Sequence, residues 1–259
     1  MRKTIRIAAL LLALPLLLAC LALPAGASFE SDYKGYTGEW AGGGRSPIKM
    51  KLEGDTLTFD YSPVFYFDAG FGLTESDQAE IIVDCVAGFK NWEGIYEIGG
   101  RALTVVVDVH PTATGSKSGS SVSILPDNAL GSMVPGCLLW RPTSSLLTMY
   151  LRSNYPRTTY FERSAMHEFG HVLGLFDAYG YGAQHWRLGF IDFSWLGEWL
   201  LPEAPLDRAP NYTVMRSGWQ ITPTEIEMLL WAWKNNRLQL YTKSALTWLG
   251  AQVSPAFSD

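Results

Sequence analysis

His167-Glu168-Phe169-Gly170-His171 sets two imidazoles four residues apart. On a helix this spacing is about one turn, so both rings leave one face roughly 6 Å apart along the axis, which suits two bonds to one metal ion. Glu168 is turned about 100° around the same axis. It therefore stands beside such an ion rather than on it, where it can hold a water and act as a general base. Gly174 ends the helix, because glycine readily takes the positive φ of a terminating turn. Three residues later Asp177 offers an oxygen as third ligand and leaves a fourth position for water, the open coordination of a catalytic rather than a structural zinc. His185, Asp192 and Glu198 are the alternative third ligands, and His110 reads as a surface residue.

These groups need a scaffold. Thr159 and Glu162 form a capping box that opens the helix carrying the two histidines. Ahead of it, residues 146–152 alternate, with Leu147, Met149 and Leu151 on one side, which predicts a half-exposed edge strand. Further upstream, residues 48–52 and 56–59 flank Glu53-Gly54-Asp55 as a hairpin. The apolar runs 63–67 and 103–109 predict strands covered on both faces. Between them Thr74 and Asp77 cap a helix whose stripe is Ile82, Val86 and Phe89, so strand, helix, strand follow in order and a parallel crossover is the economical connection. Residues 112–136, rich in serine and glycine, predict a long surface loop. Downstream, Thr222, Pro223 and Glu225 open a last helix with Ile226, Leu229, Leu230 and Trp233 as its buried stripe. The aromatic residues between Trp186 and Trp199 fit either core packing or the floor of a pocket.

The ungapped motif of residues 167–177 resembles the HExxHxxGxx(H/D) signature of the metzincin metallopeptidases, in the aspartate form that the small secreted snapalysin-type peptidases carry. Metzincins also hold a methionine in a tight turn beneath the metal, and Met215 within Tyr212-Thr213-Val214-Met215-Arg216-Ser217-Gly218 is similar to it. The resemblance extends over residues 63–233. It implies an α+β fold of the zincin/metzincin kind, with a twisted mixed sheet, an edge strand along the cleft, an active-site helix and a small C-terminal helical subdomain. Two positions depart from the commoner pattern: Asp177 replaces a third histidine, and Ser217 stands where some members have a metal-associated tyrosine.

Composition sets the compartment and excludes one class of partner. With 259 residues, 47% hydrophobic and a net charge of -5, the chain can bury a core and offers no basic face for nucleic acid. Arg2, Lys3 and Arg6 precede an apolar run and Ala25-Gly26-Ala27, the pattern of a cleaved export signal over residues 1–27; Leu17-Leu18-Ala19-Cys20 also resembles a lipobox, in which case Cys20 carries lipid and becomes the first mature residue. Residues 28–259 then form one catalytic domain, secreted or held at the cell envelope, and membrane association arises only through Cys20. Cys85 and Cys137 make an even pair, expected as a disulfide bond in that compartment, with two buried thiols as the alternative.

The expected function is an exported zinc endopeptidase that hydrolyses polypeptide by metal-activated water, with Glu168 as general base and the substrate extended along the strand near residues 147–151. The alternatives are a non-catalytic surface-binding lipoprotein on the same scaffold and a thermolysin-like peptidase with Glu198 as third ligand.

Overall fold

Two prolines break the central ladder of the protein at the same level. The computed structural model describes residues 28–32, 38–39, 48–127, 131–134, 148–154, 160–178, 187–188, 191–192, 213–216, 218–235, 237–243, 247 and 251–257. A helical turn α1 (Phe29–Asp32) and a short strand β1 (Gly38–Glu39) lead into β2 (Ile48–Glu53) and β3 (Thr56–Tyr61), the expected hairpin, closed by Gly54 at a φ of 57°. Next come β4 (Val64–Phe67), a 3-10 turn (Ala69–Phe71), helix α2 (Glu75–Lys90), β5 (Gly94–Ile98), β6 (Arg101–Val109) and β7 (Thr112–Thr114).

β3 pairs β6 in parallel with Tyr61 opposite Val109, and β4 pairs β7 in parallel with Val64 opposite Thr112, so one register runs through both ladders. Pro63 and Pro111 sit at the break between them. Neither has an N–H to give to a ladder; the Thr112 N–H donates to the Pro63 carbonyl at 2.9 Å and carries the pairing across. On its other edge the first half, β3, takes β2 antiparallel, and the second half, β4, takes β8 (Val122–Pro126) in parallel. The outcome is a mixed α+β architecture, with a five-stranded sheet ordered β1-β2-β3-β6-β5 running on into a four-stranded parallel sheet ordered β7-β4-β8-β9, where β9 is Met149–Ser153.

The parallel crossover through α2 is present, and its Thr74–Asp77 capping box forms in both directions, at 3.2 and 3.0 Å. The buried face of α2 is rotated from the expected stripe: Ile81, Cys85, Gly88 and Phe89 point inward, while Ile82 and Val86 are only half-buried. Close packing on the next helix, α3 (Tyr160–Val172), causes this, because a methyl on Gly88 would overlap the carbonyl oxygen of Glu162.

Three further expectations are corrected. β6 is not covered on both faces: Leu103, Val105 and Val107 are buried, but Val106 is 38% exposed, because α2 and α3 lie over one side of the sheet. Residues 112–136 are not a plain loop, since they supply β7 and β8; Val122 and Ile124 are fully buried on one face and the small Ser123 on the other. Nor is Cys85 bridged, for it carries a free thiol in the core, where burial raises its pKa well above the ordinary value. Cys137 lies outside the described residues, as do the export segment 1–27 with Cys20, and Thr159 of the expected helix cap. No helix among the described residues is long and apolar enough to cross a membrane.

Beyond α3 the described chain comprises the two-stranded ribbon β10 (Arg187–Leu188) and β11 (Ile191–Asp192), helix α4 (Pro223–Asn235), and the parallel pair β12 (Gln239–Leu240) and β13 (Gln252–Val253). The α4 capping box forms, and the predicted stripe of Ile226, Leu229, Leu230 and Trp233 is buried. These residues share one continuous core with the sheet.

Candidate metal centre

α3 is fastened from inside the motif. Phe169 sits among Phe59, Tyr61, Phe89 and Trp92, with ring centroids 5.1 to 6.5 Å apart, and burial of its ring contributes roughly 1.5–3 kcal/mol. Trp92 also donates its indole N–H to the Met166 carbonyl at 2.9 Å. With one side of the helix held this way, the opposite side presents His167 and His171.

The helix ends at Gly174, whose φ is 101°. The Gly174 N–H donates to the His171 carbonyl and the Leu175 N–H to the Gly170 carbonyl, both at 3.0 Å, which is the Schellman arrangement that the positive φ of glycine permits. The chain then folds back. Phe176 N–H donates to Gln239 O at 3.0 Å, and Ala178 N–H donates to Met215 O at 2.8 Å. Asp177 is thus clamped on both sides by backbone bonds to β12 and to the turn containing Met215.

The clamp brings the Asp177 Oδ1 within 3.1 Å of His167 Nε2 and 3.4 Å of His171 Nε2. Two ligands of a tetrahedral ion, each about 2.0–2.1 Å from it, stand about 3.3–3.4 Å apart, so these separations match a shared ion. Oδ1 is buried and faces both ring nitrogens, and the attraction of the two rings holds it there. Each ring is oriented by its other nitrogen: His167 Nδ1 lies 2.7 Å from the Val214 carbonyl and His171 Nδ1 2.9 Å from the Leu175 carbonyl. A carbonyl can only accept, so both rings carry a proton on Nδ1 and turn Nε2 toward Asp177, the orientation in which a histidine presents Nε2 to a metal. A buried carboxylate oxygen between two such nitrogens fits a bound metal ion. Among the described residues this trio is the group of metal-ligating side chains that converges.

The charges reinforce one another. Burial opposes protonation of His171, but the adjacent Asp177 carboxylate outweighs it and raises the pKa to about 9; His167 is raised by the same balance. At Asp177 the two rings overcome burial and hold the carboxyl well below the ordinary range. Glu168 is buried with Oε2 unpartnered, and burial raises its pKa despite the two histidines. A base that must accept a proton near neutral pH benefits from that direction.

Beneath the rings lies Met215, fully buried in a turn closed by Arg216 N–H and Gly218 N–H, both donating to Thr213 O, at 3.1 and 2.9 Å. Its sulfur packs on Gly170, between the two histidines, where a methyl would overlap it. The turn hangs from α4, as Met215 N–H donates to Glu225 Oε1 at 3.3 Å. Burial pushes the Glu225 pKa up to about 7, and the donors around it offset burial only partly.

No protein-family model, curated protein or solved structure matches the chain. The site therefore stands on its own geometry. Of the residues named from sequence, His167, Glu168, His171, Asp177 and Met215 assemble in one place, and His110 is exposed beside Asp60 and Asp108. His185 and Glu198 lie outside the described residues, and of Asp192 only the backbone, in β11, is described. β9 is not an open edge, because the N–H and C=O of Tyr150 both pair with Met133 at 2.9 Å. Sequence reading missed the second role of Glu225 and missed Tyr241 altogether; a glutamate that closes a capping box carries no signal that its other oxygen faces inward.

Proposed function

We propose that the chain is an exported zinc endopeptidase of the metzincin kind, with His167, His171 and Asp177 as ligands and Glu168 as general base. The observation that carries this reading is the convergence of His167 Nε2, His171 Nε2 and Asp177 Oδ1, with both Nδ1 atoms committed to carbonyls and a buried, partner-free carboxylate oxygen on the adjacent Glu168. The order of parts supports the fold assignment: mixed sheet, crossover helix, helix with both histidines, glycine turn, methionine turn and C-terminal helix.

Zinc held by these residues would supply a Lewis acid for the scissile carbonyl and acidify water at its open position. Glu168 takes the proton from the attacking water and passes it to the leaving amine. His167 and His171 stay neutral through their Nδ1–H donors, and Asp177, clamped by its backbone neighbours, moves little as charge develops. The side chain of His167 is 17% exposed and that of Asp177 1%, so substrate approaches from the His167 side.

The test is the metal content of the mature protein together with chelator-sensitive cleavage of casein or a peptide library. Glu168→Gln should keep stoichiometric zinc and lose roughly 100-fold or more in kcat. A Glu168→Gln variant as active as wild type would refute the general-base assignment, and zinc binding without cleavage of any substrate would favour a binding protein on this scaffold.

A further inference from the structure

Glu225 satisfies more than a helix cap requires. Its Oε2 accepts from the Thr222 N–H at 2.8 Å, which completes the capping box on α4. Its Oε1 points inward, to the Met215 N–H at 3.3 Å and the Tyr241 hydroxyl at 3.5 Å. The residue is 1% exposed, and among the described residues no cation pairs with it. A capping glutamate on a helix surface needs neither that burial nor those partners.

The two partners belong to the two segments that clamp Asp177. The methionine turn holds the Ala178 N–H through Met215 O and orients His167 through Val214 O. Two residues before Tyr241, Gln239 holds the Phe176 N–H and donates its own N–H to Gly174 O at 2.9 Å. One carboxylate therefore joins the turn under the histidines to the strand on the far side of Asp177.

We propose that Glu225 is a positioning residue for the metal ligands, setting the separation of the Met215 turn and β12 and thereby the place of Asp177 between the two imidazoles. It rests on the assignment of His167, His171 and Asp177 as a metal set. Glu225 touches neither ion nor substrate; it acts through backbone that it holds.

Cobalt(II) is the probe, because its visible absorption reports ligand number and geometry, with zinc competition for affinity. Glu225→Ala should fold, bind cobalt about 10–100-fold more weakly, as loss of an outer-shell partner does, and show a changed visible band. Glu225→Gln, whose amide oxygen can still face Met215 and Tyr241, should restore most of the wild-type spectrum. Tyr241→Phe removes one hydroxyl and should give an intermediate shift, which decides the matter if Glu225→Ala does not fold. Leu229→Ala, a core truncation in the same helix, should lower stability and leave the spectrum unchanged. Wild-type affinity and spectrum in both Glu225→Ala and Tyr241→Phe, or a Leu229→Ala spectrum shifted like theirs, overturns the proposal. Failure of the wild-type protein to bind cobalt overturns the metal assignment instead.

Discussion

Met215 packs its sulfur against Gly170, in the space where any other residue would carry a β-carbon. The contact locks the turn bearing the Val214 carbonyl to the helix that bears the ring this carbonyl orients. Gly170→Ala should therefore cost about 1–3 kcal/mol of stability, as overpacking does, and weaken zinc binding. Denaturation and metal titration check the two effects; a variant as stable as wild type would mean that the turn yields freely.

Asp177→Ala should lower zinc affinity by more than the roughly 10–100-fold that loss of an outer-shell partner costs. Competition with a chromophoric chelator measures this. Unchanged affinity would assign the third position to His185, Asp192 or Glu198, and only the last of these would move the protein toward the thermolysin-like class.

Zinc binding near pH 7 should release protons. Asp177 raises His171 to about pH 9 and raises His167 as well, so without a cation between them the rings hold protons that a metal must displace. Calorimetry in buffers of different ionisation enthalpy should give roughly one to two protons per ion, and affinity should fall as pH is lowered. Binding without proton release would contradict the coupling of Asp177 to the histidines.

Glu225 should make the metal-free fold more stable in mild acid than at neutrality. Its folded pKa is raised from the ordinary 4.5 to about 7, so its contribution is fully present below pH 4.5 and lost as pH rises through 7. The loss across that window is on the order of 3 kcal/mol. Denaturant titrations of wild type and Glu225→Gln at several pH values isolate it, since the glutamine does not titrate; parallel pH profiles would show that Glu225 stays ionised in the fold.

Local rules made part of this molecule readable in advance. The hairpin at Gly54, the capping boxes at Thr74 and Thr222, the α4 stripe and the stop at Gly174 each depend on residues within a few positions of one another. Two histidines one helical turn apart, with a glutamate beside them, already mark a candidate metal site. The strand β8 was hidden because Ser-Val-Ser-Ile-Leu lies in a segment whose composition reads as loop, and only its neighbours β4 and β9 make it a buried strand.

What the sequence alone determined is the pair of imidazoles and the glutamate beside them, because i to i+4 geometry is a property of the helix itself. Tertiary structure decided the rest of the site. Asp177 reaches the rings because Gln239 and Met215 hold the backbone on either side of it, and Met215 is held in turn by Glu225. The two bonds that flank Asp177 join residues dozens of positions apart, and no local periodicity encodes a pairing that exists only once the core has closed.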